Sequence, residues 1–84
     1  MFKIQLSPKA YKELKQLPSN IQKRIKKKLF DNAKLSNPLI RAKPLINLPP
    51  TTHRFRIGKY RISFYIKNDI IFIERIEIRG QAYI

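Results

Sequence analysis

The 84-residue chain contains no cysteine, so disulfide staples and thiolate metal ligands are excluded together. That usage fits a reducing compartment. Acids are almost as scarce: Glu13, Asp31, Asp69, Glu74 and Glu77 are the whole set, and they form no cluster with metal-ligand spacing. Hard cations such as Mg²⁺ need converging oxygen ligands, so the sequence argues against a metal-dependent nuclease. A lone histidine, His53, argues against zinc. No metal and no cofactor is expected. Long apolar runs are missing too; none approaches the roughly 18 to 20 residues of a membrane helix. The N-terminus, MFKIQLSPKAY, is too polar for a signal peptide. The expectation is a cytoplasmic protein with no membrane partner.

Cations are what the chain has in plenty. Nineteen Lys and Arg against five Asp and Glu give a net charge of +14. A field of that size and sign favours a polyanion as partner: nucleic acid, an acidic membrane surface or an acidic protein. At this length the chain is one domain, residues 1–84, with a single core between two layers.

Periodicity divides the chain into elements. FKIQL alternates Phe2, Ile4 and Leu6 against Lys3 and Gln5, as a half-buried strand does. Ser7 followed by Pro8 reads as a helix N-cap and first turn. Ala10, Leu14 and Leu17 give that helix its apolar stripe, and Pro18 ends it. Ser19 is placed to cap a second helix, running to about Leu35, with Ile21, Ile25, Leu29 and Ala33 facing inward. Positions 36–52 hold four of the six prolines and read as a connector without strand or long helix. Three strands follow, at 53–57, 60–66 and 70–78, joined by a tight turn at Gly58-Lys59 and a second at Lys67-Asn68-Asp69. The order β-α-α-β-β-β predicts an α+β fold: a four-stranded antiparallel sheet with a helical hairpin on one face.

Alternation in RFRIGKYRISFY then sorts the hairpin. Phe55, Ile57, Ile62, Phe64 and Ile66 fall under the helices, and Arg54, Arg56 and Arg61 fall on the opposite face. Like charges so close repel, and neither of these two strands contains an acid to relieve them. A phosphate-holding role explains such an arrangement; a merely solvated basic strand face is the alternative. Tyr65 shares the parity of Arg61 and is a candidate for stacking a base. Lys23, Lys26, Lys27 and Lys28 of the second helix, with Lys43 of the connector, are candidates for tracking phosphates; a merely solvated helix face accounts for the helix lysines about as well. His53 has core parity and reads as packing at the sheet rim. Glu74 interrupts the apolar run Ile70, Phe72, Ile76, Ile78; a bulge and a paired glutamate both explain it.

Taken together, the element order, the hairpin HRFRIGKYRISFY, the preceding KPLINL and the ending IRGQAY resemble the RelE/ParE superfamily of bacterial and archaeal toxins. The ending, with Arg79 followed four residues later by Tyr83, resembles the RelE branch and its archaeal members. The resemblance implies the RelE-like microbial ribonuclease fold. It also implies a toxin of a type II toxin–antitoxin system that cuts mRNA in the ribosomal A site, and a small acidic cognate antitoxin. Arg54, Arg56, Arg61, Arg79 and Tyr83 are the catalytic candidates on that basis. Where some relatives have lysine, this chain has Arg54 and Arg56, which do not give up a proton. They would stabilise charge, and the base would fall to Tyr83; the general acid stays unassigned. A ParE-like gyrase inhibitor, and a basic RNA-binding module without activity, are the alternative readings.

Overall fold

The computed structural model describes residues 1–78; Arg79 and Tyr83 lie outside the described residues. The elements are β1 (Lys3–Leu6), α1 (Pro8–Lys15), α2 (Ser19–Ala33), a 3₁₀ turn (Pro38–Arg41), β2 (Ala42–Pro44), β3 (His53–Ile57), β4 (Tyr60–Lys67) and β5 (Ile70–Ile78). The fold is α+β, as the periodicity predicts, with the last three strands in place to within a residue.

Sheet composition departs from expectation in two ways. It has five strands in the order β1-β5-β4-β3-β2, because residues 42–44 of the proline-rich connector pair antiparallel with β3. Pro44 is tolerated there because β2 is an edge strand, where a missing N–H breaks no ladder. β1 runs parallel to β5, with Ile4 opposite Ile71 and Leu6 opposite Ile73, so the sheet is mixed. The two helices supply the crossover that a parallel pair requires.

The Ser7 hydroxyl caps α1, accepting from Ala10 N at 3.0 Å, and donates to Glu74 O at 2.9 Å. Helix α2 differs from expectation: Pro18 occupies its N-cap without a side-chain bond, Ser19 is already helical, and the last helical residue is Ala33. The orphan carbonyls where α1 ends are met by Gln22, whose Nε2 donates to Leu17 O at 2.7 Å and to Lys15 O at 3.2 Å. Ala10, Leu14, Ile25, Leu29 and Ala33 bury one face of the helical hairpin against Phe55, Ile62, Phe64, Ile71 and Ile73. The Phe55 and Phe64 rings stack at 4.2 Å at its centre.

Both hairpin turns carry the backbone their residues allow. Gly58 has φ +59 at the first central position of the β3–β4 turn, the pattern of a type II′ turn. Asn68 and Asp69 both have positive φ, as a type I′ turn requires, and Lys67 belongs to β4.

Strand β5 holds a bulge. Ser63 pairs with Arg75 and Phe64 with Ile73, so Glu74 has no partner across the ladder. The bulge reverses parity: Ile71 and Ile73 face the core before it, and Ile76 faces the core after it. Ile70 and Phe72 are therefore on the opposite face from Ile76 and Ile78, not on one apolar run with them.

Candidate nucleic-acid interface

The register of β3 and β4 fixes the basic face. Arg56 lies opposite Arg61, and Arg54 opposite Ser63, so the three arginines share the face turned away from the helices. Lys43 of β2 sits opposite Arg54 and extends the row to the sheet edge. On β5, the bulge brings Arg75 and Glu77 to the same face, opposite Ser63 and Arg61. Tyr65 also lies there, stacked on Phe72 at 4.9 Å with the rings 15° from parallel. The face thus has a cationic end and an aromatic end. Base stacking on such a platform is tolerant of sequence.

Sequence reasoning missed Arg75 and Phe72, both for the same reason. Strict alternation through Glu74 places Phe72 in the core, and only the bulge reveals its true face. Arg75 is held firmly. Its Nε donates to Glu13 Oε2 at 3.1 Å and its Nη2 pairs with Glu77 at 3.3 Å. The hydrogen bond Arg75 donates to Glu13 raises the Arg75 pKa above its ordinary value, and burial opposes that shift; the charges of Glu13 and Glu77 add to it. Arg75 therefore presents a fixed guanidinium, not a wandering one.

This face is not a flat sheet. The start of α1 and the loop through Leu48–Thr51 wall off a cleft of about 610 Å³ whose floor includes Arg61, Ser63 and Arg75. Ser63 is only 5% exposed at its base. Glu74 and Glu77 also line it, and they are the carboxylates among the described lining residues. Arg54 is half-buried and Arg56 exposed on the adjoining strand. The cleft has room for a phosphate beside Lys9, Arg61 and Arg75, with the two carboxylates also in its lining.

The remaining candidates divide. Lys26 and Lys27 rim an apolar groove of about 460 Å³ between α2 and β1, lined by Ile4, Leu6, Leu14, Leu29 and Phe30. Lys28 belongs to a different hollow at the far side of α2. Lys23 is exposed. The four lysines are thus not one surface. His53 stacks on Phe64 at 6.1 Å, and its Nδ1 meets Thr52 Oγ1 at 2.9 Å, which sets it on the core side of β3 away from the arginines. Among the described residues, no helix is long and apolar enough to cross a membrane.

Comparison with known proteins supplies the class that this architecture belongs to. The chain is similar to a chain of the RelBE2 toxin–antitoxin complex from Mycobacterium tuberculosis, with 25% identity, 93% of this chain and 98% of that one covered, and a TM-score of 0.79. It is similar in fold to a chain of the archaeal RelE–RelB complex from Pyrococcus horikoshii at 21% identity, covering 95% and 97%, with a TM-score of 0.74. The isolated RelE toxin of E. coli matches at 18% identity over 99% and 92%, with a TM-score of 0.73. No curated protein sequence matches the chain. The family model described as the ParE toxin of type II toxin–antitoxin systems, parDE, matches residues 4–83. The chain belongs to this toxin family, within the RelE/ParE superfamily.

Proposed function

We propose that this toxin acts in the RelE manner, as a ribosome-dependent endoribonuclease that cuts mRNA in the A site without a metal. The observation that carries the reading is the guanidinium floor: Arg54, Arg56 and Arg61 on one sheet face, joined by the fixed Arg75 at a walled cleft. A surface that only docks onto a protein has no need to concentrate cations where one phosphate fits.

The chemistry follows from RNA itself. The 2′-oxygen attacks the adjacent phosphorus, the bond from phosphorus to the 5′-oxygen breaks, and a 2′,3′-cyclic phosphate and a 5′-hydroxyl remain. The proton of the 2′-hydroxyl goes to a base, and an acid returns one to the leaving oxygen. Between these events the phosphorane carries extra negative charge, which arginine forks hold well. Arg54, Arg56 and Arg61 take that role, with Arg79 supporting the leaving group. Tyr83 is the proposed base. If Tyr83 is not the base, Glu74 and Glu77 of the cleft are the next groups able to accept the proton. Glu74 is the better placed of the two because Glu77 is engaged by Arg75. His53 is not, since it faces the core.

The second reading is a ParE-like inhibitor of gyrase that cuts nothing. The description of the matching family favours it. Cell-free translation with end-mapping of the mRNA decides between them, alongside a supercoiling assay. Codon-phased cuts that vanish in Arg61→Ala support the nuclease. Intact mRNA with blocked supercoiling establishes the inhibitor instead.

The partner follows from the toxin class. Two of the RelE structures similar to this chain, from Pyrococcus horikoshii and E. coli, are of toxin–antitoxin complexes. A cognate antitoxin with an acidic segment is proposed here, seated in the apolar groove between α2 and β1 under Lys26 and Lys27.

A further inference from the structure

A second cationic hollow stands apart from the cleft. Arg24, Lys28 and Asn32 recur every four residues along α2 and so share one helix face. Arg41, where the 3₁₀ turn ends, and Arg56, near the end of β3, close the hollow, with Gly58 at its rim. Its volume is about 270 Å³, room for a phosphate with part of its hydration. The turn packs close: the Arg24 guanidinium carbon lies 3.7 Å from where a Cβ on Gly58 would stand. Four cations line the hollow and no acid does. Among the described residues, the ion pairs are those of Arg75 with Glu13 and Glu77, so none of the four has a carboxylate partner. Their mutual repulsion goes unrelieved within the chain, and an anion in the hollow would relieve it.

We propose that this hollow binds one backbone phosphate of an RNA strand, separately from the cleft. Three guanidiniums suit the paired non-bridging oxygens of a phosphodiester. Arg56 supplies the continuity. It lies opposite Arg61 on the sheet face and also lines the hollow, so a strand lying on the arginine face meets the hollow as it passes over the β3–β4 turn. The site positions RNA without reading its sequence. It does not depend on cleavage, and it would serve equally if the toxin cuts nothing.

The test uses the whole chain and a 2′-O-methylated RNA of about 20 nucleotides, which cannot be cut by 2′-hydroxyl attack. Anisotropy titrations at several salt concentrations compare the parent with the Arg24→Gln/Arg41→Gln pair. The control pair, Lys12→Gln/Lys15→Gln on α1, removes the same charge elsewhere. The hollow variant should lose about tenfold in affinity, and its salt slope should fall by about 0.7, the value for one single-strand phosphate contact. The control pair should lose less than about threefold, as diffuse charge would. Equal losses in the two pairs overturn the proposal, because the field alone would then account for binding. A second measurement uses the unmodified protein. The Gly58 amide should shift in an NMR titration with the RNA, at concentrations where a polyglutamate peptide leaves it unmoved. If the peptide shifts Gly58 and the RNA does not, the hollow is a protein-binding site and the proposal fails. No ribosome enters either measurement, so failure here is distinct from failure of the nuclease reading.

Discussion

Glu13 shows how much one side chain can hold. It sits half-buried on α1, where its Oε1 accepts from the Ile76 N–H at 2.8 Å and its carboxylate receives Arg75. Past Leu6 the edge of β5 has no strand beside it, and this carboxylate takes the place of one. Glu13→Ala would leave the Ile76 N–H without a partner, and loss of such a bond costs about 1–3 kcal/mol. Glu13→Gln keeps an oxygen for Ile76 and removes the charge. Thermal unfolding should therefore show a clear drop for Ala, about 4–8 °C for each kcal/mol in a domain of this size, and a smaller one for Gln. Cleavage should move differently. A loosened Arg75 should lower the rate in both variants, since both lose one of the two ion pairs that fix it and keep only Glu77. Tyr83→Phe is the complementary change. It removes only the ionisable oxygen, and loss of a general base lowers the rate by about 10² to 10⁴. Single-turnover cleavage reads that step directly. A Phe variant within about tenfold of the parent, below that usual range, would pass the role to Glu74.

At the scale of elements, the bulge at Glu74 decides which residues of β5 reach the arginine face. Deleting Glu74 puts Arg75 directly after Ile73 and restores plain alternation, with Ile71, Ile73 and Ile76 inward and Arg75 and Glu77 outward. The deletion should therefore fold, losing the Ser7 hydroxyl's bond to the Glu74 carbonyl and the local bend of the bulge. Glu74→Ala keeps the residue count and should melt close to the parent; circular dichroism on the pair checks this. The same bulge explains where sequence reading stopped. β3, β4 and their turn were legible because alternation is unbroken from Phe55 to Phe64 and Gly58 supplies the positive φ. Arg54, Arg56 and Arg61 followed from that parity. β5 was not legible beyond its existence, since one unpaired residue moves every later side chain to the other face. β2 was hidden by its length, three residues including Pro44, which only an edge position permits. The parallel pairing of β1 with β5 joins segments far apart in the chain, and local pattern carries no trace of it. Arg24 and Arg41 were overlooked likewise: each is an ordinary exposed cation until the fold brings them to Arg56.

At the scale of the whole molecule, charge and apolar surface separate by face. The arginines and the cleft lie on one side of the sheet. The groove between α2 and β1 lies at the other side, apolar in its lining with Lys26 and Lys27 at the rim, and Phe30 beside it is 53% exposed. An antitoxin segment with acidic residues flanking an apolar stripe fits that groove by both terms, and ordering it on the toxin would offset part of the gain. Neutralisation and catalysis should then be separable by mutation. Phe30→Asp adds an acid to the groove without entering the core or the cleft. It should weaken antitoxin binding by at least tenfold in calorimetry, while codon-phased cutting by the free toxin stays near the parental rate. Arg61→Ala should leave antitoxin binding within about threefold and abolish cutting. The reverse pattern, with Phe30→Asp neutralised normally and Arg61→Ala escaping the antitoxin, would place the antitoxin on the arginine face. It would then act by covering the site itself, and the groove would have no part in control.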